Sequence, residues 1–238
     1  MKRRKDIVKT KYEILKDDKN TIEYEDRILH RIRAIRDFSN VKTGDLGGYI
    51  EKESNLSHDG NCWIYGDGKA FDSSTIFEDV ILSDNAEISG RSIVSGSCII
   101  TDNARVNDNA NISGNAEISG NAIVSDNAMV SGNAIVAGGI VSGNAIISDN
   151  AMVYGNPFIH GYVNVTDESK VFGNANISGS VILEDHIKVF GHANIWGDTR
   201  ISGYSKVFGN TEVYGNSNVS GHVNIFGKMK ICDSFRIQ

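Results

Sequence analysis

The stretch Ile112–Val136, ISGNAEISGNAIVSDNAMVSGNAIV, says one six-residue sentence four times over. Each unit carries an aliphatic residue, here called position i. A small polar residue follows at i+1, Gly or Asp at i+2, Asn at i+3 and a small residue at i+4, which is i−2 of the next unit. A period of six matches neither the 3.6 of a helix nor the plain alternation of a long strand. Positions i−2 and i lie two residues apart, so in an extended segment their side chains point the same way. Both are apolar or small, which places them inside. Gly and Asp at i+2 tolerate positive φ, and Asn at i+3 bonds its own backbone. Each hexapeptide is therefore a short strand followed by a sharp corner.

Outward from this stretch the register holds almost throughout. Position i runs through Ile88, Val94, Ile100 and Val106 to Val136, resumes at Val141, and continues every six residues to Ile237. Backwards it extends through Leu82 and Ile76 to Ile64. Three units close a triangular coil of 18 residues, and successive coils stack about 4.8 Å apart. About 30 units give about 10 coils and a prism of about 48 Å by that spacing. The expected fold is all-β, a single-stranded parallel β-helix spanning 58–238, with a small β-rich cap over 1–57. The pattern resembles the hexapeptide-repeat families, which implies the left-handed form. One break interrupts it: VAGGIV sets Val136 and Val141 five apart, and Gly138–Gly139 are placed to absorb the tightened corner.

Composition narrows the classes. The 238 residues hold 25 Gly and a single Pro, and 40% are hydrophobic, enough for a core and unlike a disordered linker. No run approaches the roughly 18 apolar residues of a membrane span, and MKRRKD lacks the apolar segment of a secretory signal behind it. The three cysteines show no metal or redox spacing. A reducing cytoplasm is the expected location, the host cytoplasm if the chain is phage-encoded. Residues 1–40 carry net +4 and residues 41–238 net −10, so nucleic acid is an unfavoured partner along the body.

In the head, KYEIL and TIEY around DDKN read as a hairpin, and RILHRIRAI reads as strand or short amphipathic helix. The run RDFSNVKTGDLGGYIEKESNLSHDGNCWIYGDGKA then enters the solenoid. Its Asp37, Phe38, Asn40, Val41, Lys42, Gly44, Gly47 and Gly48, followed by Asn55, Leu56, Ser57, Gly60, Cys62, Trp63, Ile64 and Tyr65, resemble the junction motif of YdcK-like hexapeptide-repeat proteins. Such proteins are met in bacteria, phages and prophages, and are described as transferase-like by fold, which does not fix function. The head is expected to cover the N-terminal end, since an open β-helix end exposes core and unpaired backbone. The C-terminal CDSFRIQ shows no matching cap, leaving that end open or paired with a second copy.

The outer surface holds the candidate sites. Read every 18 residues at i+1, Tyr154, Phe172, Phe190, Phe208 and Phe226 form an aromatic ladder, with Lys170, Lys188 and Lys206 beside it at i−1. Successive i−1 positions Ile123, Met129, Ile135, Ile140, Ile146, Met152 and Phe158 form an apolar girdle around the break. These residues read as an interface, either of a trimer or dimer or toward a foreign partner; the plain alternative is cross-strand support of neighbouring strands. Hexapeptide acyltransferases use a histidine, a protruding loop and an intersubunit groove for acyl-CoA. No loop is inserted here, and His160 at an outward i+1 position is the candidate catalytic residue by that resemblance. His186, His192 and His222 stand in the Asn corner slot. Asp149, Asp167 and Asp185 stack at one corner, where a hard cation or simple turn chemistry are the two readings. Arg27, Arg31, Arg33 and Arg36 in the head could meet a small anion or act as a solubilising face. The leading expectation is a non-catalytic scaffold or binding protein with no cofactor. The others are an acyl-CoA-dependent acyltransferase, and a phage anti-defence protein that sequesters a nucleotide or blocks a host protein.

Overall fold

A computed structural model describes residues 10–232 and the backbone of Arg236–Ile237. The MKRRKD start and most of the CDSFRIQ end lie outside the described residues. The body is a left-handed parallel β-helix of about 10 coils. Its strands pair in parallel with the strand one coil on, as in Arg105↔Ile123 and Val106↔Val124. Three columns of strands make the three faces. The first face contains Lys69–Ala70, Glu87–Ile88 and their successors. The second contains Thr75–Ile76 and Ile93–Val94. The third runs from Trp63–Ile64 to Asn224–Ile225.

The corners form for the reason the repeat implies. From Gly66 to Gly227 the i+2 residue has positive φ, including Asp84 at 59°, Asp126 at 58° and Gly132 at 71°. A corner Asp does a second job that Gly cannot: its carboxylate accepts the backbone N–H at the same corner one coil on. Asp102 Oδ2 receives Gly120 N at 2.8 Å and Asp126 Oδ2 receives Gly143 N at 2.9 Å. The Asn residues at i+3 form amide ladders along the corners, as in Asn115 to Asn133 at 3.0 Å and Asn133 to Asn150 at 3.1 Å. Such stacked amides reinforce strands repeated at a fixed spacing. Inside, Ala, Val and Ile at i−2 and i are fully buried from Ala86 to Ile195. At the break, Gly138 and Gly139 take φ of 106° and 78°, and parallel pairing continues as Ile123↔Ile140.

The head differs from the expected hairpin. Strands β1 (Tyr12–Leu15) and β2 (Thr21–Tyr24) do not pair with each other. Both lie end to end along one edge of β3 (Arg27–Ala34), with Tyr12↔Ala34 and Thr21↔His30. The DDKN segment is thus an excursion within one interrupted edge, closed by a short 3-10 turn at Asp18–Asn20 that Asp17 caps. The true hairpin is β2–β3. Its turn residues Glu25 and Asp26 both have positive φ, the geometry that matches strand twist. RILHRIRA is a strand, because it is held between β1/β2 and β4 (Leu46–Ile50).

Strand β4 joins the two parts. It is antiparallel to β3 yet parallel to Lys69–Ala70, through Tyr49↔Lys69 and Ile50↔Ala70. Cap and solenoid share one core: Tyr12, Ile32, Phe38 and Val41 cluster with Trp63, Ile64 and the solenoid interior. Trp63 occupies an i−1 slot that elsewhere faces outward, but the cap covers it, with Phe38 5.4 Å and Tyr12 6.3 Å away edge-on. Lys11 is also enclosed there, its Nζ donating to Gly60 O at 3.3 Å and Cys62 Sγ at 3.2 Å.

Burial in cap and solenoid gives the protein an alkaline limit. It pushes the Cys98 thiol from an ordinary 9.0 up to about 11, and the Tyr24 phenol, which also bonds Glu87, up to about 12. Burial raises Tyr12 and Cys62 as well. Between the unfolded and folded values the native state holds protons that the unfolded chain has lost, so stability falls as pH rises. Lys11 acts oppositely, since burial lowers it and the unfolded chain binds the extra proton below its ordinary 10.5. The melting temperature is expected to decline from about pH 9 toward 11–12, and more steeply in Lys11→Met. A flat melting curve across that window would contradict this assignment.

Candidate functional site

The third face carries a stacked aromatic column and a lysine column side by side. Its later strands are longer than two residues, Met152–Gly155, Lys170–Gly173, Lys188–Gly191 and Lys206–Gly209, so both i−1 and i+1 lie on paired strand. The register Tyr154↔Phe172 and Phe190↔Phe208 puts equivalent side chains directly above one another. The aromatic ladder exists as expected. Ring centroids are 4.7 Å apart for Tyr154–Phe172, 4.7 Å for Phe172–Phe190, 4.8 Å for Phe190–Phe208 and 5.6 Å for Phe208–Phe226. The planes are within 15° of parallel, so the rings cover each other's faces and turn their edges outward. Tyr154 and Phe226 at the ends are exposed, and the three between are half-buried.

Two residues back along each strand is the lysine column, with Lys170↔Lys188 and Lys188↔Lys206 in register. Among the described residues none of the three has a carboxylate within ion-pair distance. At the corner beyond them His186, Tyr204 and His222 stack at 4.4 and 4.8 Å. Lysines and rings enclose an open groove of about 410 Å³. The sequence reading placed the histidines in turn slots but missed this second stack. The 18-residue spacing of His186, Tyr204 and His222 was the available signal, as it was for Trp196 on Tyr214 at 4.5 Å.

The apolar girdle resolves into cross-strand pairs on each face: Ile123↔Ile140↔Phe158, Met129↔Ile146 and Ile135↔Met152. Met129 and Phe158 are exposed and the others half-buried.

His160 lies on the first face, exposed, beside Phe158 of the same strand at 5.9 Å. Its Nδ1 is 3.1 Å from Ser142 Oγ, the equivalent position one coil earlier. Ser142 is buried to 6% exposure and was not anticipated from sequence. The pair can share a proton, but among the described residues no carboxylate orients His160 as in a hydrolytic triad.

In the acidic corner Asp167 and Asp185 hold backbone and Asp149 a neighbouring hydroxyl. Asp167 Oδ2 accepts Asp185 N at 3.0 Å, Asp185 Oδ2 accepts Gly203 N at 2.8 Å, and Asp149 Oδ2 accepts Ser148 Oγ at 2.8 Å. Among the described residues no three acidic, His or Cys side chains converge on a cation position. The arginines of the head do not converge either. Arg27 pairs with Asp72 at 2.6 Å, Arg31 with Asp67 at 3.4 Å and Arg33 with Glu13 at 2.5 Å. Arg36 lies 5.9 Å over the Phe38 ring. Three of the four are thus neutralised by separate acids, which argues against one shared anion site.

No protein-family model matches the chain. A 38-residue segment, 16% of this chain, is 50% identical to the uncharacterized acetyltransferase YdcK of Escherichia coli (strain K12). The likeness to YdcK is local: it covers 12% of that relative, so it shows a shared segment only. No helix among the described residues is long and apolar enough to cross a membrane.

Proposed function

We propose that this chain is a non-catalytic, oligomeric binding scaffold whose working surface is the third face. The observation that carries the reading is the ladder from Tyr154 to Phe226, ring edges outward, beside lysines that lack carboxylate partners. A rigid β-helix holds such a surface in fixed register, and contiguous apolar surface on a soluble protein favours a partner. A second copy of the chain is the first candidate, because symmetric self-association is the commonest way to cover such a surface. A two-fold pairing must offset the two lysine columns, since like charges set face to face are unfavourable. The double variant Phe190→Ser/Phe208→Ser is expected to lower the native mass or abolish partner retention, as read by native mass spectrometry and light scattering. Unchanged mass together with unchanged retention would sink this reading.

A second reading, acyl transfer, is favoured by one specific pair. His160 and Ser142 at 3.1 Å offer a base beside a hydroxyl, and the local likeness is to a protein named an acetyltransferase. Under it the chain consumes acetyl-CoA in the presence of amine or hydroxyl acceptors, and His160→Ala lowers that rate at least about 100-fold. No turnover by the wild-type chain across such acceptors removes this reading.

A further inference from the structure

Taking the third face as the working surface, we propose that its lysine column, with the adjoining His186–Tyr204–His222 stack, binds an oligophosphate chain, free or carried by a nucleotide. The inference rests on that reading and adds the ligand's chemistry to it.

Lys170, Lys188 and Lys206 are successive rungs of one parallel ladder. Their spacing is set by coil stacking at about 4.8 Å, so the column spans about 10 Å. Three ammonium groups at that pitch repel one another, and among the described residues no carboxylate offsets them. The three coils that carry the column, residues 156–209, hold four Lys or Arg against five Asp or Glu. Glu184 is taken by Arg200 and Glu168 by His186, and Asp167 and Asp185 hold backbone N–H groups at the corner, so the positive charge at the groove is that of the column itself. On one side of the column the outward edges of Phe190 and Phe208 present the positive rim of the aromatic quadrupole. On the other, His186, Tyr204 and His222 bring polar ring atoms to the groove. Next above Lys206 in register is Asn224, whose amide can also donate. The one acid lining the groove, Glu168, is at its far end and lies 3.1 Å from His186 Nδ1.

The fit favours phosphates over other anions. Each phosphate offers several strong acceptor oxygens with high charge, and lysine binds phosphate as a point charge without demanding a planar fork. A chain of three or four phosphates has about the length of the column. Carboxylates on one side of an extended peptide recur about every 6.8 Å, out of step with the lysines. A second copy facing this column through a two-fold would oppose lysine to lysine. The groove and the Phe ladder use opposite outward positions of the same strands, so a ligand along the lysines leaves the ladder available.

The test is calorimetric titration of the full chain with inorganic tripolyphosphate, and separately with a nucleoside triphosphate. One site per chain is expected, weakening as salt rises. Lys188→Gln/Lys206→Gln is expected to weaken it at least tenfold. The equal-charge control Lys42→Gln/Lys52→Gln in the head is expected to change it less than twofold. Equal affinity for both titrants assigns recognition to the phosphate chain alone, and tighter nucleotide binding adds the ring stack as a contact. No binding at millimolar tripolyphosphate, or equal weakening by the two double variants, overturns the inference. Circular dichroism of each variant verifies that its fold is intact. If titration fails while Phe190→Ser/Phe208→Ser still alters the native mass, only the ligand assignment falls.

Discussion

Trp63→Ala is expected to destabilise the protein by about 3–5 kcal/mol, the range for removing a large buried aromatic from a core. The size follows from where the ring sits. Trp63 is 1% exposed although its slot in the repeat faces outward, because Phe38 and Tyr12 close over it edge-on. It also fills the space left by Gly47, where a Cβ would lie 2.7 Å from the indole ring. The substitution removes one of the contacts that join cap to first coil, beside the β4 pairing, so the damage is concentrated at the solenoid's N-terminal end. Loosening the cap uncovers that end, and exposed strand edges promote association. Urea unfolding should show the midpoint falling, and size-exclusion chromatography should show larger species at sub-denaturing urea. A loss under about 1 kcal/mol with unchanged elution would contradict this account of the junction.

The second large effect concerns the corners, where two glycines of similar φ should respond in opposite ways. Gly139 has φ +78°, and an added Cβ would meet Pro157 Cδ and the Pro157 carbonyl oxygen at 2.6 Å. Gly120 has φ +65°, and its nearest neighbour would be 3.7 Å away. Gly139→Ala therefore combines a strained backbone with overpacking, and a loss of about 2–4 kcal/mol is expected. Gly120→Asp is expected to be neutral within about 0.5 kcal/mol, or stabilising, because Asp holds the same conformation at Asp102 and Asp126 and reaches the next coil's N–H there. Denaturant midpoints of the two variants decide the matter. Equal losses would mean that positive φ alone, and not the short coil at the break, limits what Gly139 can become.

Much of the molecule was legible from the hexapeptide period. Inward positions i−2 and i, corner position i+2 and the 18-residue columns are consequences of strand alternation and of which residues accept positive φ. Once coils stack, that arithmetic alone places Phe172 over Phe190 and Lys188 over Lys206. The head was not legible in the same way. KYEIL and TIEY have the pattern of two strands around a turn, but pairing is settled by the partner available. Strand β3 is long enough to take both, so DDKN becomes a detour along one edge. Local sequence likewise could not show that Ser142 reaches His160 or that Asp167 holds the backbone of Asp185. The arginines of the head read as one basic cluster, yet Arg27, Arg31 and Arg33 each find a separate acid 20 to 45 residues away, and Arg36 lies over the Phe38 ring. The repeat by itself determined the solenoid because every coil meets an identical neighbour, so a local rule propagates. Only tertiary structure decided the cap and the state of its charges, because there each contact is made once, between segments that share no period.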